Sequence, residues 1–112
     1  MTALAMLAQI TPIQAQAGND FITIISARIV VPLGLGDQNP SADATNAEAS
    51  RCNFQTVCIF QHSFAELHTV YGVPDPHAGG NHMLRIRWSC GQNKPERTLP
   101  DIGDNGQVHL VC

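Results

Sequence analysis

Residues Asp75 to His82 read Asp-Pro-His-Ala-Gly-Gly-Asn-His, an acid, an amide and two imidazoles gathered around a glycine pair. Sets of this kind bind sugar hydroxyls. Planar polar side chains bridge adjacent hydroxyls, glycine lets backbone amides come close, and an aromatic ring covers an apolar sugar face. Asp75, Asn81 and His82 supply the polar groups, Gly79 and Gly80 the close backbone, and Tyr71 the ring. The competing use is conformational, with Asp75-Pro76 and Gly79-Gly80 shaping two turns and Asn81 and His82 facing water. Both uses stay open at this level.

Other chemistries are less well provided for. His77 and His82, with Asp75 or His68, are metal-ligand types, but a glycine loop fixes no coordination geometry and nothing in the sequence orients the imidazoles. His62, Ser63 and Ser89 have no acid at readable spacing, so a nucleophilic triad has no support. Glu66 and Asp75 make a carboxylate pair in composition only. The expectation is a non-enzymatic chain with no cofactor and no metal.

The scaffold that positions such a loop has to be small. The chain has 112 residues, enough for one domain. Aromatics are 5%, so the core must be aliphatic. Six Lys and Arg against nine Asp and Glu give a net charge of -3 and no basic face for phosphates, so nucleic acid is not an expected partner. The four cysteines, Cys52, Cys58, Cys90 and Cys112, form an even set without a CxxC pair. That pattern favours disulfides over zinc, and with them an oxidising, secreted or periplasmic location.

The N-terminus agrees with that location. "ALAMLAQITPIQAQA" is apolar, then polar, and closes on Ala15-Gln16-Ala17, the small-x-small pattern of a signal-peptidase site. Residues 1–17 are therefore read as a secretory signal, or the tail of one, and 18–112 as the domain, although no Lys or Arg precedes Arg28. The other reading keeps 1–17 as an N-terminal strand or helix. The run is too short to span a bilayer, so no membrane span is expected.

Along the domain, "DFITIISARIVVPLG" is dense in β-branched residues and reads as a strand covered on both faces. "GLGDQNP" is turn-rich, and Ser41 or Asp43 can cap a short helix over "SADATNAEASRC". "TVCIFQHS" is a further strand and "FAELHTVYG" is ambiguous. "HMLRIRWSC" alternates, with Leu84, Ile86 and Trp88 on the core face and Arg85 and Arg87 toward water. "GQNKPERTLPDIGDNG" reads as loop and "QVHLVC" as a closing strand.

These residues carry a resemblance. A helix ending Arg51-Cys52, a second cysteine at Cys58, and then Asp75-Pro76, Gly79, Leu84, Ile86, Trp88 and Cys90 resemble the galactose- and rhamnose-binding lectin domain of the sea-urchin egg lectin type, as a divergent member, over about Phe21 to Cys90. The strand "ITIISA" is similar to that family's first strand. The family's sugar-holding Glu, its Tyr-Gly-Arg and its Lys-Tyr are replaced: Ile25 to Val31 stand for the first two, and His82-Met83 for the last. His77 stands where the family has a cysteine. In the related lectins two cysteines at the spacing of Cys52 and Cys58 form a local bridge, which leaves Cys90 to join Cys112.

The expected fold is therefore a β-rich α+β domain, a small antiparallel β-sandwich with one short helix, stapled by disulfides. Its expected role is that of a secreted module recognising glycan, galactose- or rhamnose-like by the resemblance, through Asp75, Gly79, Gly80, Asn81, His82 and Tyr71. Homo-oligomers are compatible with it. The alternative role is a structural subunit of an extracellular assembly, its apolar N-terminal segment adding as a strand to a neighbouring copy.

Overall fold

The computed structural model describes residues 20–34, 39–77 and 80–112; the segment expected to be a signal, 1–17, and Gly79 lie outside the described residues. Among the described residues the elements run β1 Thr23–Val30, β2 Ser41–Asp43, α1 Thr45–Cys52, β3 Val57–Gln61, α2 Phe64–Thr69, β4 Met83–Ser89, β5 Arg97–Thr98, β6 Ile102–Gly103 and β7 Gln107–Val111.

The centre of the larger sheet is the antiparallel pair β1–β4, with Ile29 opposite Leu84, Ala27 opposite Ile86 and Ile24 opposite Trp88. All six are buried, because the alternation of β4 puts every second residue on one face. β1 was expected to be covered on both faces. Instead its register shifts between Ile24 and Ser26, and Ile25 is exposed. One unpaired residue in a ladder breaks the facing pattern at that point.

β2 adds to the outer edge of β1, and β5 and β6 both pair with β4. These two short strands lie in the stretch read from sequence as loop. Arg85 and Arg87 face water as expected, and each holds that stretch with a two-pronged ion pair. Arg85 Nε and Nη2 donate to Asp101 at 3.0 and 2.9 Å, and Arg87 Nε and Nη2 donate to Glu96 at 2.7 and 2.8 Å. Each guanidinium holds its carboxyl partner below the usual carboxylate range.

β3 and β7 form a second, two-stranded antiparallel sheet, with Cys58 opposite Leu110 and Phe60 opposite Val108. Cys58, Val108 and Leu110 belong to the same buried cluster as Leu84, Ile86 and Trp88, so the two sheets share one core. The bridges are Cys52–Cys58 and Cys90–Cys112, the pairing that the lectin resemblance implies.

One helix was expected, and the described residues contain two. α1 starts at Thr45, later than the Ser41 to Asp43 run read as its cap, because that run is β2. Asp43 still serves the helix start: its Oδ1 accepts from the Thr45 N–H at 2.9 Å and from the Thr45 hydroxyl at 2.6 Å. The Ala27 N–H donates to Thr45 Oγ1 at 3.0 Å, which ties α1 to β1. α2 occupies the ambiguous stretch, and Ser63 is its cap, accepting from the Glu66 N–H at 3.2 Å. No helix among the described residues is long and apolar enough to cross a membrane.

Trp88 lies in the core, with the Arg97 guanidinium 5.1 Å above its ring. Trp88→Ala is expected to cost about 3 to 5 kcal/mol, the range of large aromatic truncations in cores, and to lower the thermal midpoint steeply. A melt followed by far-UV circular dichroism checks this; an unchanged midpoint would contradict the core role.

Candidate functional site

α2 carries the site. The Phe64 N–H at its first turn donates to Asp104 Oδ1 at 2.9 Å, which ties the helix start to the turn before β7. The Phe64 ring then stacks on two imidazoles: His68, one turn along, at 5.8 Å between centroids, and His82, from the residue before β4, at 3.9 Å and nearly parallel. His68 Nδ1 donates to the Val73 carbonyl at 2.7 Å, fixing the exit from α2. His82 Nε2 reaches Asp75 Oδ1 at 3.2 Å, and that oxygen also accepts the His77 N–H at 3.0 Å.

Asp75 therefore closes a local turn and orients an imidazole at once. The hydrogen bond from His82 holds its carboxyl below the usual carboxylate range. The Gly80 N–H donates to the His77 carbonyl at 3.2 Å. A Cβ on Gly80 would stand 2.6 Å from Val31 Cγ1, so the bare backbone here makes room for a buried core side chain.

Of the residues selected from sequence, Asp75 and His82 are brought together, Asn81 is exposed between Gly80 and His82, and Gly79 lies outside the described residues. Tyr71 is exposed, and its ring packs under the Arg51 guanidinium at 4.9 Å. Glu66 and Asp75 have separate partners, Arg51 and His82. Among the described residues no group of three or more His, Cys, Asp and Glu is arranged to hold a metal ion.

Three groups were missed in the sequence. Arg51 lies over the Phe60 ring at 4.2 Å as well as over Tyr71, and its Nη2 donates to Glu66 Oε1 at 2.7 Å. It thus joins α1, β3, α2 and the segment after α2. Beside it Glu48 is fully buried, with Oε1 3.7 Å from Arg51 Nε and no hydrogen bond to either carboxylate oxygen. Burial pushes its pKa up to about 7, although Arg51 pulls the other way. The third is His62, judged from sequence to lack an acid. The fold brings Asp104 Oδ1 within 3.5 Å of its buried Nε2, and burial holds the imidazole pKa below its ordinary value. The spacing of Glu48 and Arg51, three residues apart on a helix, was the legible signal; Asp104 is too far along the chain from His62 to have left one.

No protein-family model, curated protein or solved structure matches the chain.

The buried carboxyl makes stability depend on pH in a definite direction. Glu48 titrates near 4.5 when free in solution and near 7 in the fold. Between those values the folded state binds the extra proton, so the contribution of Glu48 falls as pH rises through the window, by roughly 3 kcal/mol for a shift of this size. Glu48→Gln removes the titration. Measured by urea unfolding, its stability relative to the parent is expected to rise steadily from pH 4.5 to 7.5; a difference independent of pH would show that Glu48 is ionised and satisfied.

Proposed function

We propose that the chain is a secreted carbohydrate-binding module of lectin-like type, a sandwich of its two sheets, and that its rim is the segment from Asp75 to His82. The observation that carries this reading is the stack of His82 on Phe64 together with the His82–Asp75 hydrogen bond. It holds two polar groups in a fixed orientation on a short loop, with the Asn81 amide exposed next to them. Rigid polar groups at a loop rim suit paired hydroxyls, whose recognition depends on direction more than on charge.

The resemblance of the cysteine pattern and of the Asp75 to Cys90 motif to galactose- and rhamnose-binding lectins supports the choice of sugar as ligand. It extends to the two bridges, Cys52–Cys58 and Cys90–Cys112. Bridges of this kind persist in oxidising compartments, which accords with secretion.

On this reading His82 donates or accepts at a ligand hydroxyl through the ring edge not held by Asp75, and Asn81 supplies a donor and an acceptor in one plane. Tyr71, the expected aromatic partner, is exposed and carries the Arg51 guanidinium 4.9 Å from its ring centre.

Asn81→Ala removes an exposed side chain, and His82→Phe keeps a ring on Phe64 while deleting both nitrogens. Each is expected to weaken glycan binding by about fivefold to thirtyfold, the equivalent of 1 to 2 kcal/mol, with the melting midpoint unchanged for Asn81→Ala. A glycan array on the native domain followed by calorimetry on the best ligand checks this. No retained glycan, or equal affinity in both variants, would reduce the rim to a turn that feeds β4.

A further inference from the structure

Among the described residues the outer edge of β3 has no partner strand. In the β3–β7 ladder the His62 N–H donates to the Gly106 carbonyl at 2.7 Å and the Cys112 N–H donates to the Thr56 carbonyl at 2.9 Å. Even-numbered residues therefore turn their backbone groups toward β7, and Val57, Ile59 and Gln61 turn theirs away from it. Among the described residues β3 pairs with β7 alone.

The open stretch has a defined start. One residue before Thr56, the Gln55 carbonyl accepts from the Ile22 N–H at 2.8 Å, and the Phe54 N–H donates to the Ile22 carbonyl at 3.1 Å. Upstream of that contact the chain bends at Asp20 and Phe21, and Asp20 is exposed, so this pairing does not continue along Val57.

Edges of this kind are ordinarily guarded by a charged residue, a proline or a covering element. Val57–Gln61 reads Val-Cys-Ile-Phe-Gln, with neither charge nor proline. Its solvent face is apolar over Val57 and Ile59, each about half exposed, with Val111 of β7 directly opposite Val57, and ends on the polar Gln61. Phe54, at the corner where the edge begins, is 84% exposed and has φ of 69°, a left-handed conformation that a bulky side chain adopts only at a cost.

We infer that β3 is a self-association edge: a second copy of this chain pairs its own β3 antiparallel to it about a two-fold axis, giving a four-stranded sheet β7–β3–β3–β7. The edge is complementary to itself. Centred on Ile59, the pairing sets Ile59 opposite Ile59 of the second copy and Val57 opposite its Gln61, so the outward N–H and carbonyl groups of all three residues find partners. Five residues pair with five, which leaves Gln55 to Ile22 as observed. No like charges meet, since the strand has none, and the exposed Val57, Ile59 and Val111 side chains merge into one apolar strip across the two copies. A symmetric pairing of this kind closes at two chains.

The test is sedimentation velocity over a concentration series on the whole chain, with hydrogen exchange of the Val57, Ile59 and Gln61 amides measured at both ends of the series. The parent is expected to dimerise, with those three amides protected only at high concentration. Ile59→Lys places two ammonium groups opposite each other at the axis and is expected to weaken dimerisation at least about tenfold. Ile59→Glu does the same alone, and a mixture of the two variants restores the dimer. Because Ile59 is half exposed, both variants keep the parent melting midpoint; if they fail to fold, the double variant Val57→Lys with Gln61→Lys, mixed with the double variant Val57→Glu with Gln61→Glu, is the corresponding pair, since position 57 faces position 61 of the second copy. A monomer at every concentration, a dimer indifferent to these substitutions, or protection of the three amides that does not vary with concentration would each overturn the inference, the last by showing the edge covered from within the chain.

Discussion

The antiparallel ladder of β1 with β4 is the constraint on which the other parts of the domain depend. It brings Ile24, Ala27 and Ile29 against Trp88, Ile86 and Leu84, and these side chains share one buried cluster with those of α1 and of the β3–β7 sheet. With few aromatic residues, the core is built mostly from aliphatic side chains that both sheets contribute. The ladder also sets the site, because the rim runs straight into the first residue of β4 and Gly80 rests on Val31 just past the end of β1.

Around that cluster the polar groups fall into two neighbouring sets. One is the stack of His68, Phe64 and His82 with Asp75, which orders the rim. The other is Arg51 with Glu48, Glu66, Phe60 and Tyr71, which clamps the two helices to β3. They meet in α2, whose six residues contribute to both through opposite sides: Phe64 and His68 to the stack, Glu66 to the clamp. A helix so short has little intrinsic stability. Its cap by Ser63, its link to Asp104 and these two attachments hold it in place, so the rim is as firm as those contacts allow.

Elements with strong local patterns were legible. β4 alternates cleanly from Leu84 to Trp88, β3 is a short, mainly apolar run, β7 alternates Gln107 and His109 with Val108 and Leu110, and α1 follows from an alanine-rich stretch without glycine or proline. What escaped depends on partners far away in the chain. Whether Ile25 faces core or water is decided by a bulge, not by its own type. β5 and β6 exist because Arg85 and Arg87 capture Asp101 and Glu96, and nothing in a polar, proline-containing stretch announces that. α2 lay under a Ser-x-x-Glu start that its own brevity disguised. In the site the same division holds. Asp75 and His82 were readable as chemical types, whereas their union, the ring of Phe64 beneath them and the attachment of Tyr71 to Arg51 required three-dimensional folding.

The bridge between Cys90 and Cys112 encloses β5, β6 and β7 in a covalent ring. Residues 92–98 are exposed throughout; Pro95 shields the bond after Lys94, and Arg97, followed by Thr98, is the trypsin-type cleavage point on the outside of the ring. A single cut there opens the chain without dividing the molecule: the segment bearing β7 remains joined through the sulfurs and stays hydrogen-bonded to β3. Such a nicked domain would keep its core, and only a reductant would separate the two pieces.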